Sequence, residues 1–162
     1  MFMTELPNGD IGYLGLFQYG DIGFGINGIV ILECQELIKE IEIPDYIDGK
    51  PVLIIGQKAF FSCKQLINIS LPQKLLRIDD YAFMGCASLK KIIIPNDVVF
   101  IGRRAFRACF ELSTVTFPKN LKEVGEGSFG TCEQLTSVKI PKQTILRENA
   151  FHENTQITYY DE

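Results

Sequence analysis

The sequence predicts a repeat solenoid built mainly of short parallel strands, and three observations carry that expectation. First, the 23-residue stretch 73–95 returns almost position for position as 96–118 and 119–141. Second, at this offset Pro72, Pro95, Pro118 and Pro141 fall in one column, Cys63, Cys86, Cys109 and Cys132 in another, and Phe60, Phe83, Phe106 and Phe129 in a third. Third, each unit holds an alternating apolar segment closed by proline (LKKIIIP, LSTVTFP, LTSVKIP), as a strand does where a residue without an N–H ends its ladder. Units this short bury their apolar side chains only against neighbouring units, so equivalent residues must stack.

Taken in order, residues 1–37 read as lead-in and cap. The first 20 are glycine-rich and aperiodic, with an Asn8-Gly9 turn signal, and predict an irregular lead-in. DIGFGI (21–26) and IVILEC (29–34) then read as two short strands around a type I′ turn at Asn27-Gly28. Such a hairpin would cover the first coil, whose edge otherwise exposes unpaired backbone. Residues 38–72 form an irregular first coil: Pro44 and Pro72 are 28 apart, so 45–51 should bulge out around a turn at Asp48-Gly49.

Each regular repeat (73–95, 96–118, 119–141) then divides into three. After the proline-closed strand comes a second apolar pair, Leu75/Ile78, Val98/Ile101 or Leu121/Val124, in a short strand or extended turn. A small residue and Phe follow, with Cys three places on: Ala82-Phe83/Cys86, Ala105-Phe106/Cys109 and Ser128-Phe129/Cys132. That spacing predicts a short α or 3-10 turn with Phe and Cys on one face. Five coils about 4.8 Å apart predict a stack about 25 Å long. Residues 142–162 read as a truncated repeat and C-terminal cap, since Ala150-Phe151 arrives after 22 residues and Asn154 replaces the cysteine. Ile157 fits either the Leu position or the first strand position, and Tyr159, Tyr160, Asp161 and Glu162 fit a polar rim.

With IgxxAFxxCxxLxxIxIP recurring from residue 38 to the C-terminus, the chain resembles the BspA-type class of leucine-rich repeats. IDGKPV (47–52) is also similar to the entry segment of such proteins. Ordinary leucine-rich repeats carry LxxLxLxxN with a buried Asn ladder, whereas here Pro follows the strand and no Asn column exists. The resemblance implies a leucine-rich-repeat solenoid of α/β type, β-dominated and right-handed, with the parallel sheet on its concave face. It also implies recognition of proteins, often as a microbial surface adhesin or antigen.

If Ile69/Leu71, Ile92/Ile94, Val115/Phe117 and Val138/Ile140 point inward, the alternation of strand side chains turns their neighbours outward. Two outward columns result: Asn68, Lys91, Thr114 and Ser137, and Ser70, Ile93, Thr116 and Lys139. Glu40 and Glu42 extend them into the first coil. These columns are the candidate partner-binding surface. Neither holds an aromatic anchor. Tyr46, Phe61, Tyr81 and Phe110 lie outside the columns; they could anchor a partner, but packing under turns is the expectation. Arg103, Arg104 and Arg107 cluster on one turn and read as solvated charges in preference to a patch for phosphate or an acidic partner.

No catalytic or cofactor site is expected. Gly23-Phe24-Gly25-Ile26-Asn27-Gly28 matches the dinucleotide fingerprint GxGxxG, but a β-rich segment follows where that motif needs a helix N-terminus. Four cysteines spaced 23 apart along a stack make a line, not the tetrahedron zinc requires, and read as buried thiols. His152 is the one histidine and reads as a solvated turn residue. Asn68-Ile69-Ser70 fits a glycosylation sequon.

Composition sets the remaining bounds. At 162 residues, 46% apolar and 22% charged, the chain suits one globular domain. The net charge of −4 argues against a nucleic-acid partner. Residues 1–50 carry nine acids and two bases (net −7), and residues 51–162 carry eleven and fourteen (net +3). The first ten residues hold no signal-peptide pattern and no apolar run reaches the length of about 18 residues that a membrane helix needs. The expectations are therefore a protein partner, no membrane insertion, and a monomer or weak end-to-end oligomer. A cytoplasmic location is expected for the chain as given, or a cell-surface or secreted one if a leader has been removed.

Overall fold

The computed structural model describes residues 11–13, 17–23, 26–34 and 37–161, and its strands form two rows running along one stack of coils. The cap consists of β1 (Ile11–Tyr13), β2 (Phe17–Gly23) and β3 (Ile26–Cys34), paired antiparallel in that order. The first coil holds β4 (Glu40–Glu42), β5 (Tyr46–Ile47) and β6 (Lys50–Ile55). Each later coil gives one strand to each row. These are β7 (Asn68–Ser70) and β8 (Arg77–Ile78), β9 (Lys91–Ile93) and β10 (Phe100–Ile101), then β11 (Thr114–Thr116) and β12 (Glu123–Val124). The last are β13 (Ser137–Pro141), β14 (Ile145–Leu146) and the closing β15 (Gln156–Tyr160).

Among the described residues the cap joins one row: β3 runs parallel to β6, and β8, β10, β12 and β14 follow in parallel register. The other row comprises the proline-closed strands. β4 pairs β7, β9 pairs β11 and β13 pairs β15, all parallel, and Lys90 N donates to Ile67 O between the first two pairs. This row has six rungs, not the five expected, because residues 156–160 form a full strand. Ile157 lies opposite Val138, which places it in the first strand position.

Three expectations about local structure are corrected. The cap hairpin does not turn at Asn27-Gly28, since both residues lie within β3 and the chain reverses between Gly23 and Ile26. A Cβ at Gly28 would stand 2.5 Å from Leu53 Cδ1, so this glycine serves a close packing contact and not a turn. Residues 24–25 and the Asn8-Gly9 signal lie outside the described residues. The lead-in is likewise not wholly irregular, for β1 pairs β2 from Ile11 opposite Gly20. The inserted segment is a β-hairpin: Tyr46 pairs Pro51, Ile47 pairs Lys50, and Asp48 and Gly49 turn with φ of 51° and 73°. Two positive φ angles in succession make the type I′ geometry. Tyr19 donates to Asp48 at 2.9 Å and Lys50 bridges to Asp21 at 2.7 Å, fastening this hairpin to the cap.

The third correction concerns the Phe-containing turns. The described residues contain no α or 3-10 helix. Alternate N–H groups explain why. Ala82, Met84 and Cys86 bond back three residues, whereas Tyr81, Phe83 and Gly85 donate to Arg103, Ala105 and Arg107 of the next coil. A helix needs consecutive N–H groups, and half are committed between coils. Positive φ at Tyr81 (61°) and Gly85 (81°) also breaks the helical path.

The core lies between the rows. Phe60, Phe83, Phe106 and Phe129 are fully buried, and their rings stack at 4.9, 5.0 and 4.9 Å, almost parallel. Phe151 extends the stack at 5.2 Å, while Phe117 meets Phe129 edge-on at 81°. These separations match the inter-strand repeat, so backbone pairing dictates the ring spacing. Beside the rings, the Cys86, Cys109 and Cys132 thiols donate to the carbonyls of Phe60, Phe83 and Phe106 at 3.1–3.2 Å.

Candidate partner-binding surface

Strand alternation builds this surface directly. In the proline-closed row the middle residue of each short strand turns into the core: Ile41 and Ile92 are buried, and Ile69 and Val115 pack against the core half-buried. Its neighbours then face outward in two columns. Glu40, Asn68, Lys91, Thr114, Ser137 and Gln156 form one, and Glu42, Ser70, Ile93, Thr116, Lys139 and Thr158 the other. All eight residues expected on this face stand there. Asn68 is half-buried and the rest are exposed. Gln156 and Thr158 escaped the sequence reading because the register of the last coil was open, although the alternation in QITYY signals them.

The face has relief and fixed side chains. An open depression of about 580 Å3 is walled by Glu40, Glu42, Asn68, Ser70, Lys91 and Ile93, with Gln73 at its edge. Asn68 Nδ2 donates to Glu40 Oε1 at 2.8 Å, and the Lys139 ammonium lies 5.5 Å from the Tyr160 ring centre. Ile93 is 67% exposed, a large aliphatic side chain at the centre of a polar face. Tyr46, Phe61 and Phe110 do not pack under turns as expected. They are 55%, 42% and 51% exposed, Tyr46 on β5 of the inserted hairpin and Phe61 and Phe110 in turns, and Tyr81 is half-buried.

The other singled-out residues are engaged in the scaffold. Arg103 and Arg104 approach Glu126 at 3.7 Å each, so that cluster shares an acid from the next coil. His152 Nδ1 accepts from Asn154 N at 3.2 Å within its own turn. Burial drives the thiols up: Cys132 reaches about 12 and Cys109 lies well above the ordinary value. Protonated, each can donate to its carbonyl. As a thiolate it could not, and would be a buried charge without water. In the GxGxxG stretch, Gly28 lies within β3, and among the described residues no helix follows that could present its N-terminus to a phosphate.

A stack of parallel rungs with a largely polar outward face defines a repeat solenoid of the leucine-rich kind. The BspA type leucine-rich repeat profile matches residues 32–158 in 6 copies, and the chain belongs to that family. A comparison with curated proteins found no match. Among solved structures, the T. pallidum leucine-rich repeat protein is similar at 31% identity and a TM-score of 0.82, over 88% of this chain and 66% of that one. A leucine-rich cell surface protein from Faecalibacterium prausnitzii matches at 26% identity and a TM-score of 0.67, over 90% of this chain and 46% of its own. The pneumococcal vaccine antigen PcpA shares the fold at 19% identity and a TM-score of 0.62, over 94% of this chain and 50% of that one. The chain thus spans between about half and two-thirds of the length of these proteins. No helix among the described residues is long and apolar enough to cross a membrane.

Proposed function

We propose that this chain is a non-enzymatic recognition module that binds a partner protein through the outward face of its proline-closed strands. Asn68, Ser70, Lys91, Ile93, Thr114, Thr116, Ser137 and Lys139 supply the contacts. The observation that carries this reading is the pair of outward columns, set in register by parallel pairing within the strand pairs β4–β7, β9–β11 and β13–β15, with exposed Ile93 among them. A backbone already ordered by strand pairing loses little freedom on binding, which favours association. Membership of a repeat family whose members typically bind rather than catalyse supports it. The experiment is affinity capture from the source organism and its surroundings with the native chain and a Lys91→Glu/Ile93→Asp/Thr114→Glu variant. A partner held by the native chain and lost by the variant is the expected result. Equal retention by both excludes this face.

Two settings for that binding differ in compartment. Inside a cell, the module would inhibit or neutralise a partner protein. On the surface it would act as an adhesin or antigen, and the cell surface protein from Faecalibacterium prausnitzii favours this second setting. Antibody labelling of intact cells separates them, since an intracellular module stays unlabelled until the cells are opened.

A further inference from the structure

The outward face is not uniform along the stack. Its first rung presents two exposed carboxylates, Glu40 and Glu42, and its third presents Lys91 and Ile93. The depression lies between them. None of the ion pairs among the described residues involves Glu40, Glu42 or Lys91. Asn68 nevertheless holds the Glu40 carboxylate at the rim through its 2.8 Å hydrogen bond. One end of the depression is therefore anionic and the other apolar, with a cation beside the apolar group.

Resting on the reading of this face as a recognition surface, we propose that the depression takes an extended segment of a partner protein in which a lysine or arginine stands two residues from an aliphatic side chain. Side chains two apart on an extended segment share a face, about 7 Å apart. Rungs repeat at about 4.8 Å, so Glu42 and Ile93 are about 10 Å apart, and a long basic side chain covers the difference. The aliphatic group covers Ile93, and the basic head group lies between Glu40 and Glu42. Lys91 repels a second basic residue at the aliphatic end, which fixes the direction in which the segment lies.

The test uses the full chain, isotope-labelled, and two peptides, Ser-Gly-Ser-Arg-Ser-Leu-Ser-Gly-Ser and the same sequence with Glu for Arg. Backbone amide shifts report where each binds. The Arg peptide should move signals of β4, β7 and β9 and bind about two- to fivefold tighter than the Glu peptide at low salt, the range expected of one exposed ion pair. That ratio should collapse to one in the Glu40→Gln/Glu42→Gln variant, whose remaining spectrum reports that it is folded. Ile93→Ser should weaken the Arg peptide while leaving the fold intact, because this 67% exposed side chain packs nothing in the core. Equal affinities for the two peptides, shifts confined to other surfaces, or no shifts at millimolar peptide would each overturn the inference. The face itself is judged separately by the capture experiment, so a face that binds its partner without basic preference is told apart from a face that binds nothing.

Discussion

At the residue scale, the structure explains why particular columns hold particular side chains. Residues two places after each Phe include Ser62, Gly85 and Ala108, and all three have positive φ, 59°, 81° and 60°. An L side chain there costs about 1–2 kcal/mol. Ala108→Gly should therefore stabilise the chain by about 0.5–1 kcal/mol, offset in part by glycine's greater unfolded freedom. Gly85→Ala should cost about 1 kcal/mol, because its new Cβ also crowds Ser62 Oγ at 3.3 Å. Chemical denaturation of the two variants checks the opposite signs. The Phe column is more demanding. Phe106→Ala should cost about 3–5 kcal/mol by leaving a cavity between two stacked rings, whereas Phe110→Ala, at a half-exposed side chain, should cost under about 1 kcal/mol. Melting temperatures within a few degrees of each other would contradict the stacking.

At the element scale, the thiol ladder makes a pH prediction. Folded Cys132 keeps its proton to about 12, whereas an ordinary thiol ionises near 9.0. Above that ordinary value the unfolded chain releases protons that the folded chain retains, so stability falls as pH rises. The loss is about 1.4 kcal/mol per pH unit for each such thiol, from about 9 until the folded thiol ionises. Below pH 9 the contribution is fully present. Cys132→Ala should be less stable than the native chain at neutral pH because it loses a packed, bonded side chain. Its melting temperature should nevertheless fall less steeply between pH 9 and about 11. Parallel slopes would show that burial does not hold these thiols protonated. Native alkylation with a thiol reagent should be slow for the same reason, and should become fast on unfolding.

The strand elements themselves were legible in the sequence, because alternation and a closing proline leave few alternatives. The Phe turns were not. A three-residue spacing fits a helical turn and an extended zigzag of β-turns alike. The choice was made by hydrogen bonds from Tyr81, Phe83 and Gly85 to a coil 22 residues away. The same applies to Asn27-Gly28: the dipeptide favours a hairpin turn locally, but the space between Ile22 and Leu53 claims the glycine. At Asp48-Gly49, where no such neighbour competes, the turn forms as the residues dictate.

At the scale of the whole molecule, the stack is a nearest-neighbour structure, with each coil resting on the next. Among the described residues the cap covers one row, pairing β3 with β6 and covering Val52 and Ile55 with Ile29 and Ile31. A chain beginning at Leu37 should expose that edge and those side chains, melt at lower temperature and self-associate. Light scattering that shows the shortened chain as monomeric and equally stable would contradict this role for the cap. Removing only the Lys50–Asp21 pair of this fastening, by Lys50→Ala, should be mild, at most about 1 kcal/mol for an exposed pair.

The sequence by itself determined the period, the inward columns of Phe, Cys and aliphatic residues, and the eight outward positions of the candidate face. These follow from alternation and repetition, which act within about one unit of chain. Only the tertiary structure decided the sixth rung, the left-handed positions of the Phe turns, the choice of row that the cap extends and the depression between Glu42 and Ile93. Each of those depends on what a residue meets in an adjacent coil, and contact between coils is set by packing, not by neighbours along the chain.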